Sequence, residues 1–459
     1  MNITAFILFI FGLQAICLYV GGKSVKGLKN QEDYFLAGRG IRFFPLTMTF
    51  LATQVGGGLI LGSANEAYQF GWWVLFYPLG AALGMILLGM GLGRRLAQFK
   101  VSTTAQIFEV AYRSPRLKKV ASLLSILSLF MIFVAQIIAS NKFMVSLGLD
   151  SPLVFLAFWG IVIFYTAAGG LKAVVATDII QATFFVGAFL LCFGCALFSA
   201  DISLGQIVDR GVQKDLFSFE PSKLYGWLLM PLLFMVIEQD MGQRCFAAES
   251  PQAVSRAALW AAGGTLMMSF IAVFFGVFAK SLAIEIPAGA SVLMTVVTQT
   301  SSPVISAMIG CALLAAIVST ADSLINAIGS NLSQDFELKF LKRDNIRLSQ
   351  ALSAGIAIAG ILFSFYFNNI VDVLIQSYEL SVSCLFVPIF IALFKRKGDP
   401  LSAGLAVTFG ALSFVLFKVV PNELPSEVIS VLISLAGYYV GELVVWMRTQ
   451  REEREKVRL

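Results

Sequence analysis

Residues 51–58 read Leu51-Ala52-Thr53-Gln54-Val55-Gly56-Gly57-Gly58, inside an apolar run that extends over about 43–69. Three glycines beside a glutamine weaken helical backbone at a depth where lipid supplies no water to replace lost hydrogen bonds. The segment therefore predicts either an interrupted membrane helix with a binding role or a patch where two helices pack closely through small residues.

A second apolar run, about 224–246, is interrupted in a different way. It contains Pro231 and then Glu238-Gln239-Asp240-Met241-Gly242-Gln243-Arg244. Two carboxylates in one membrane helix would be costly if they faced lipid, so we expect them to face protein or a water-filled cavity.

The composition assigns the chain to the membrane. Of its 459 residues, 58% are hydrophobic and 13% are charged, and the mean hydropathy is +0.84. Apolar runs, each near the roughly 20 residues that span a bilayer as a helix, recur along the whole length and predict an all-α protein with about thirteen transmembrane helices. The predicted spans are about 3–21, 43–69, 72–93, 119–141, 152–168, 174–198, 224–246, 257–279, 303–331, 350–366, 370–394, 401–418 and 427–447.

The residue types present argue against an enzyme. The chain has no histidine, which excludes Ser-His hydrolases and His-ligated haem or zinc. Cys192 and Cys195 form a C-x-x-C pair, but within an apolar run they are better interpreted as small apolar residues than as a redox motif. No two carboxylates have a recognisable catalytic spacing, so we expect no enzymatic activity.

The positions of Lys and Arg predict the orientation. With the N-terminus outside, all but six of the 33 basic residues lie on cytoplasmic loops or in the C-terminal tail, as the positive-inside rule requires. The six are Lys142, Arg210, Lys214, Lys223, Lys280 and Lys418. We therefore predict a multi-pass protein of the cell membrane, N-terminus outside and C-terminus cytoplasmic. Its expected partners are membrane lipid and a small solute, with no nucleic acid and no obligate protein partner.

The two interrupted runs are the second and seventh spans, so they cross the membrane in opposite directions. This spacing predicts two inverted five-helix repeats, 43–198 and 224–394. Residues 1–42 would add one N-terminal helix, retained rather than cleaved as a signal peptide, with a cytoplasmic loop. Residues 395–459 would add two helices and a charged tail. Interrupted helices at matching positions of two repeats are the best sequence pointer to a transporter binding site.

The ninth span carries a stripe of small polar residues. Ala316, Ser319, Thr320 and Ser323 lie at i, i+3, i+4 and i+7, so they share one helix face. Hydroxyl and carbonyl oxygens suit a hard cation such as sodium. The alternative is that these hydroxyls only bond back to carbonyls of their own helix, an interpretation weakened by Asp322 among them.

The sequence resembles the sodium:solute symporter family, whose members carry proline, pantothenate, sugars, sialic acid and similar solutes. The resemblance covers nearly the whole chain and rests on four motifs taken together. The motifs are Asp33-Tyr34-Phe35-Leu36-Ala37-Gly38-Arg39; Gly169-Gly170-Leu171-Lys172-Ala173-Val174 with Thr177-Asp178 and Gln181; Gln243-Arg244 with Ala247-Ala248; and Ser319-Thr320-Ala321-Asp322-Ser323 with Asp335.

This resemblance implies a leucine-transporter-like inverted repeat and a co-transported sodium ion. One sodium site would be formed by the carbonyls of Ala52, Val55 and Ala316 and the hydroxyls of Ser319 and Thr320. Some members bind a second sodium ion, here at Asp178, Asp322 and Ser323. Asp322 departs from the family pattern, and Asp178 has the alternative role of pairing with Lys172 at the membrane boundary.

The resemblance also implies where the solute binds. The implied contacts are Gln54, Gly56, Gly57, Gly58, Glu238, Gln239, Met241 and Gln376. Sugar-carrying members have an acidic residue on the third span and a lysine on the eighth, and this chain has neither, which disfavours a sugar. Glu238 and Asp240 favour a solute with an amino group, unless Arg244 neutralises one of them.

We therefore predict a secondary active transporter that works by alternating access. It would couple sodium, with a preference for one ion per cycle, to an amino acid, carboxylate, vitamin or osmolyte. A proton-coupled transporter, a transporter-like sensor and a channel remain as alternatives.

Overall fold

The computed structural model describes residues 2–25, 30–148, 151–199, 221–336, 346–367, 369–420 and 425–458. Within these ranges the regular structure is helical, apart from one isolated bridge between Ile41 and Ala248. The α-helices are α1 (Ile3–Val25), α2 (Gln31–Leu36), α3 (Phe43–Gln54), α4 (Ser63–Phe70), α5 (Phe76–Leu87), α6 (Gly93–Ala97), α7 (Gln106–Tyr112), α8 (Pro115–Ser146), α9 (Pro152–Ser199), α10 (Pro221–Ile237), α11 (Gln239–Ala247), α12 (Pro251–Ser281), α13 (Val292–Thr300), α14 (Pro303–Asp335), α15 (Ile346–Ser364), α16 (Ile370–Ser381), α17 (Val387–Lys395), α18 (Pro400–Val419) and α19 (Ser426–Arg458).

Helix α14 lies at the centre of the molecule. Within the described ranges, nine helical segments are long and apolar enough to cross a membrane, and α14 buries 83% of its apolar stretch. The corresponding shares are 22% for α1, 33% for α18 and 28% for α19, so these three helices lie at the periphery. Their exposed Tyr19, Leu412 and Trp446 are suited to contact with lipid.

Four long helices begin with the same two-residue signal. A Ser or Asp side chain accepts a hydrogen bond from a free backbone N–H of the first turn, and a proline follows where no backbone donor is needed. The pairs are Ser114-Pro115 at α8, Ser250-Pro251 at α12, Ser302-Pro303 at α14 and Asp399-Pro400 at α18. These signals set where each long helix starts, and therefore which of its residues lie near the middle of the membrane.

Helices α4 and α12 meet backbone to backbone. A Cβ atom added to Gly276 of α12 would lie 2.4 Å from the carbonyl oxygen of Ala64 of α4, closer than real Cβ contacts allow. Because lipid tails are as apolar as leucine, helices in a membrane associate through such close contacts rather than through the hydrophobic effect.

The predicted fifth and sixth spans form one helical run, α9, which breaks at Gly170. This residue has φ 61° and ψ −174°, a conformation that residues with a Cβ rarely adopt. A Cβ there would also lie 2.5 Å from the carbonyl oxygen of Tyr34, so Gly170 is a site of close backbone approach. At the other end of the chain, α19 continues through the predicted charged tail to Arg458.

Both predicted helix interruptions are present. Helix α3 ends at Gln54, Val55 has φ −86° and ψ 66°, and a π-helical turn at Gly58–Gly62 leads into α4. Glu238, with φ −59° and ψ 129°, separates α10 from α11. Each break frees backbone carbonyl and amide groups inside the protein, where a ligand can satisfy them.

Candidate sodium and solute sites

The break after α3 faces the polar stripe of α14. The Ser319 hydroxyl donates to the carbonyl oxygens of Ala52 at 3.1 Å and Ala316 at 3.0 Å. The Thr320 hydroxyl lies 3.2 Å from the Ala52 carbonyl oxygen and 3.1 Å from that of Thr53. Ser319 and Thr320 are 0% and 4% exposed, so five oxygen atoms meet in a buried cluster.

The spacing of these oxygens is close to that of a sodium shell. Ligands at about 2.3–2.6 Å from a hard cation, set at right angles, lie about 3.3–3.7 Å apart. The observed oxygen-to-oxygen separations are 3.0–3.2 Å. A slight outward movement of these oxygens would therefore make room for the ion, provided that the hydroxyl protons point away from it. Four of the five predicted ligands meet here. The Thr53 carbonyl, which the sequence did not indicate, joins them, whereas no contact of the predicted Val55 carbonyl with the two hydroxyls is present among the described residues.

The predicted second sodium set is organised around Arg244. This arginine is 0% exposed, and its guanidinium lies 3.5 Å from the Asp178 carboxylate, which is equally buried. It donates to the Ser323 hydroxyl at 2.6 Å and to the Thr49 hydroxyl at 2.8 Å. The Thr49 hydroxyl in turn donates to Asp178. A fixed cation therefore stands between Asp178 and Ser323, where the resemblance implies a second sodium ion.

Asp322, three residues after Ser319 on α14, contacts α9. It accepts a hydrogen bond from the Thr166 hydroxyl of α9, whereas Asp178 and Ser323 are both bound by Arg244. A second sodium site at Asp178, Asp322 and Ser323 stays a prediction.

A small cavity of about 30 Å³ lies beside the α3 break and the α10–α11 break. Thr53, Gln54, Gly56 and Gly58 line it from the first break, Glu238 and Asp240 from the second, and Leu324 and Thr320 from α14. The opposite wall is formed by Tyr77 of α5, Gln136 of α8 and Tyr378 of α16. The cavity and the oxygen cluster share Thr53 and Thr320, so they are neighbours.

Two glutamines organise the unwound backbone. The Gln136 side chain accepts a hydrogen bond from the Gly57 N–H at 2.8 Å, which satisfies a donor freed by the break. Gln54 donates to the Glu238 carboxylate at 3.2 Å and so joins the two breaks across the cavity. Gln136 was missed by sequence reasoning, although a glutamine at mid-depth of the fourth span was a usable signal.

Four predicted solute contacts do not line the cavity: Gly57, whose N–H donates to Gln136, and the residues Gln239, Met241 and Gln376. The Gln239 side chain accepts from the backbone N–H of Thr104 at 2.7 Å and from its hydroxyl at 3.1 Å, so its amide is directed away from the cavity. Met241 is fully buried but does not line the cavity, and Gln376 is exposed on α16. From α16, Leu374 and Tyr378 face the cavity instead.

The two acidic side chains beside the cavity, Glu238 and Asp240, lie next to each other. Glu238 and Asp240 are 5% and 1% exposed, and no Lys or Arg of the described residues lies within ion-pair distance of either carboxylate. Arg244 donates to the main-chain carbonyl of Asp240 at 3.0 Å, but its ion pair is with Asp178. The second carboxylate oxygen of Asp240 has no hydrogen-bond partner among the described residues.

The family model of the sodium:solute symporter family matches residues 34–397, well over half of the chain. The chain belongs to the sodium:solute symporter family. It is accordingly a multi-pass membrane protein that transports a small-molecule solute by symport with sodium, and its relatives are transporters rather than enzymes.

Individual relatives are distant. The chain is 25% identical over 352 residues to a sodium/pantothenate symporter of Haemophilus influenzae, a match that covers 72% of this chain and 71% of that protein. It is 25% identical over 386 residues to high-affinity choline transporter 1 of Drosophila melanogaster, covering 79% of this chain and 61% of that longer protein.

The fold has a close counterpart among solved structures. A Na+-coupled sialic acid symporter, in a substrate-bound outward-open state, matches with a TM-score of 0.75 at 19% sequence identity, over 96% of this chain and 97% of the other. Mhp1, a nucleobase-cation-symport-1 family transporter, matches with a TM-score of 0.61 at 14% identity, over 89% and 94%. The predicted leucine-transporter-like fold is thereby confirmed.

Proposed function

We propose that this symporter couples one sodium ion to the transport of a small organic cation that carries an amino or quaternary ammonium group. The observation that supports the proposal is the pair of cavity carboxylates, Glu238 and Asp240, left without an ion-pair partner because Arg244 binds Asp178. A buried carboxylate is strongly disfavoured unless a cation or a proton accompanies it, so the cavity favours a positively charged ligand.

The aromatic wall of the cavity fits the same solute class. Tyr77 and Tyr378 line it, and Tyr378 stacks on Phe234 with ring centroids 4.6 Å apart. Aromatic faces attract desolvated ammonium groups by about 2 kcal/mol. One relative is named for choline, a quaternary ammonium compound, which is consistent with this assignment.

The sodium ion would bind at the oxygen cluster of Ala52, Thr53, Ala316, Ser319 and Thr320. Because this cluster joins α3 to α14 and borders the solute cavity, an ion there would hold the broken helix in the form that binds solute. Sodium and solute would then each raise the affinity for the other by the same factor. Arg244 would take the place of a second ion, which supports a stoichiometry of one.

Alternating access would follow from two inverted repeats, 43–198 and 224–394, each opening with a broken helix. The described helices are consistent with thirteen spans. In this count α3 and α4 together form one membrane crossing, α10 and α11 together form another, and the two halves of α9 form two. The basic residues favour an external N-terminus and a cytoplasmic C-terminus.

The orientation predicts which single cysteines react from outside the cell. With the six native cysteines replaced, a cysteine at Lys280 should react with an impermeant maleimide on intact cells, whereas one at Lys395 or Arg448 should react only after the membrane is opened. Equal labelling of Lys280 and Lys395 cysteines on intact cells would contradict the proposed topology.

The solute class is tested by uptake and binding with cavity variants. In proteoliposomes with an inward sodium gradient, labelled organic amines should be taken up, and Glu238→Gln with Asp240→Asn should weaken their binding on the order of 30-fold or more. That factor corresponds to about 2 kcal/mol, the lower range for removing the partner of a buried charge.

A matched control is Asp372→Asn, an exposed acidic residue on α16, which should leave binding unchanged. A thermal-shift screen of amines, carboxylates, vitamins and osmolytes on the unmodified protein provides the independent check. Stabilisation by carboxylates but not amines would disprove the cation assignment while leaving sodium symport intact. Uptake driven by a proton gradient without sodium would favour the proton-coupled alternative.

A further inference from the structure

The C-terminal end of α14 carries a second group of buried oxygen atoms, remote from the oxygen cluster at Ser319 and Thr320. Fifteen residues separate Thr320 from Asp335, or roughly 22 Å along a helix. Asp335 is 0% exposed, and one of its carboxylate oxygens accepts a hydrogen bond from the Thr103 hydroxyl at 2.8 Å. The other has no hydrogen-bond partner among the described residues.

Further unsatisfied polar atoms lie around this carboxylate. Asn331, one helical turn before Asp335 and on the same face of α14, is 0% exposed, and neither its side-chain oxygen nor its nitrogen has a partner in the described part of the chain. The hydroxyl of Ser122 of α8 faces Asp335 and has no hydrogen bond of adequate geometry there. Buried polar atoms of proteins are normally satisfied, so a group of this kind indicates a missing ligand.

The local charge also indicates a cation. Lys118, 8% exposed, is the basic residue that acts on Asp335, but its amino group lies 2.6 Å from the Glu109 carboxylate. Among the described residues, these two carboxylates and one ammonium group leave one negative charge. One monovalent cation at Asp335 would balance it.

We propose that Asp335, Asn331, Thr103 and Ser122 form a second binding site for sodium, separate from the oxygen cluster at the α3 break. The site would supply a carboxylate, an amide oxygen and two hydroxyls, all hard oxygen ligands. On the orientation proposed above, this end of α14 faces the cytoplasm, so the site would hold sodium on its way between the central cluster and the cell interior. The assignment of that transit role rests on the proposed function, but the binding itself does not.

Sodium binding to the purified protein, followed by thermal shift and by binding of labelled sodium, tests the proposal. Ser319→Ala with Thr320→Ala removes the central hydroxyls, and this double variant should still bind sodium and be stabilised by it. Adding Asp335→Asn should abolish that residual binding, whereas adding Asp372→Asn instead should not. Potassium at equal concentration controls for ionic strength.

Because Asp335→Asn could impair folding, the neutral ligands provide a second test. Asn331→Ala and Ser122→Ala, each added to the Ser319→Ala/Thr320→Ala variant, leave the Asp335 carboxylate in place. Each should raise the half-saturating sodium concentration several-fold. The proposal is overturned if the double variant no longer binds sodium, or if its sodium binding is unchanged by Asp335→Asn, Asn331→Ala and Ser122→Ala. Sodium-stimulated uptake by the unmodified protein tests the proposed function separately, so the two ideas can fail independently.

Discussion

Replacing Ser319 and Thr320 together by alanine should abolish the stimulation of uptake by sodium. Both hydroxyls lie within 3.2 Å of backbone carbonyls at the α3 break, so their loss removes two of the five oxygens of the central cluster. A coupling free energy of about 1–3 kcal/mol makes sodium raise solute affinity roughly 5- to 150-fold, and that factor should fall to one. Solute affinity measured at several sodium concentrations checks this.

Ser306→Ala is the matched control for that experiment. Ser306 is also buried on α14, but its hydroxyl donates to Val297 and Ser302, far along the helix from the α3 break. This variant should keep the full effect of sodium on solute affinity. Should the double variant retain sodium-dependent uptake, the transported ion must bind at other residues.

The second large effect is expected at Arg244. Arg244→Ala leaves Asp178 buried without its ion-pair partner, which typically costs about 3–5 kcal/mol of folding stability. It also vacates the position between Asp178 and Ser323, and a sodium ion can then enter. We therefore expect the variant to be unstable at low sodium, to be stabilised strongly by added sodium, and to show a Hill coefficient for sodium-driven uptake that rises from one towards two.

The double variant Arg244→Ala with Asp178→Asn separates the two contributions. Removing the unpaired charge should recover much of the lost stability, while the extra response to sodium should disappear. Thermal melting at several sodium concentrations measures both. A Hill coefficient of two in the unmodified protein that stays at two in Asp335→Asn would show that Arg244 does not replace an ion.

Local chemistry made the two breaks and the polar stripe of α14 predictable, whereas the Ala52 carbonyl of the central oxygen cluster was implied by the family resemblance. Glycines 56–58 and the carboxylates of the seventh span conflict with an uninterrupted helix in lipid, so the sequence alone indicates where the backbone opens. The i, i+3, i+4 spacing of Ala316, Ser319 and Thr320 places their oxygens on one face whatever the neighbours are. These inferences needed only helix geometry and the cost of unsatisfied polar groups.

Choices between neighbouring helices could not be predicted in the same way. Arg244 can reach Asp240 or Asp178, and only the packing of α11 against α3 and α9 selects Asp178. Likewise, Gln239 satisfies the backbone of Thr104 rather than a solute because α11 begins against the residues before α7. Gln376 has a polar side chain that could bind a solute, but it lies on the exposed face of α16, away from the cavity. Which face of α16 is turned inward depends on the rotation of the helix, and spacing along the chain does not determine that rotation.

The backbone contact between Gly276 and Ala64 has a mechanical consequence for the broken helix. Two backbones in direct contact leave no side chains that could change rotamer, so α4 can neither slide nor roll on α12 and must travel with it. Helix α3, beyond the break, meets α12 through the Leu51 side chain and meets α14 through hydroxyl groups, and such joints can loosen and re-form. The three glycines would then act as a pivot, with one arm fixed to its neighbour and the other free to tilt when the ion leaves.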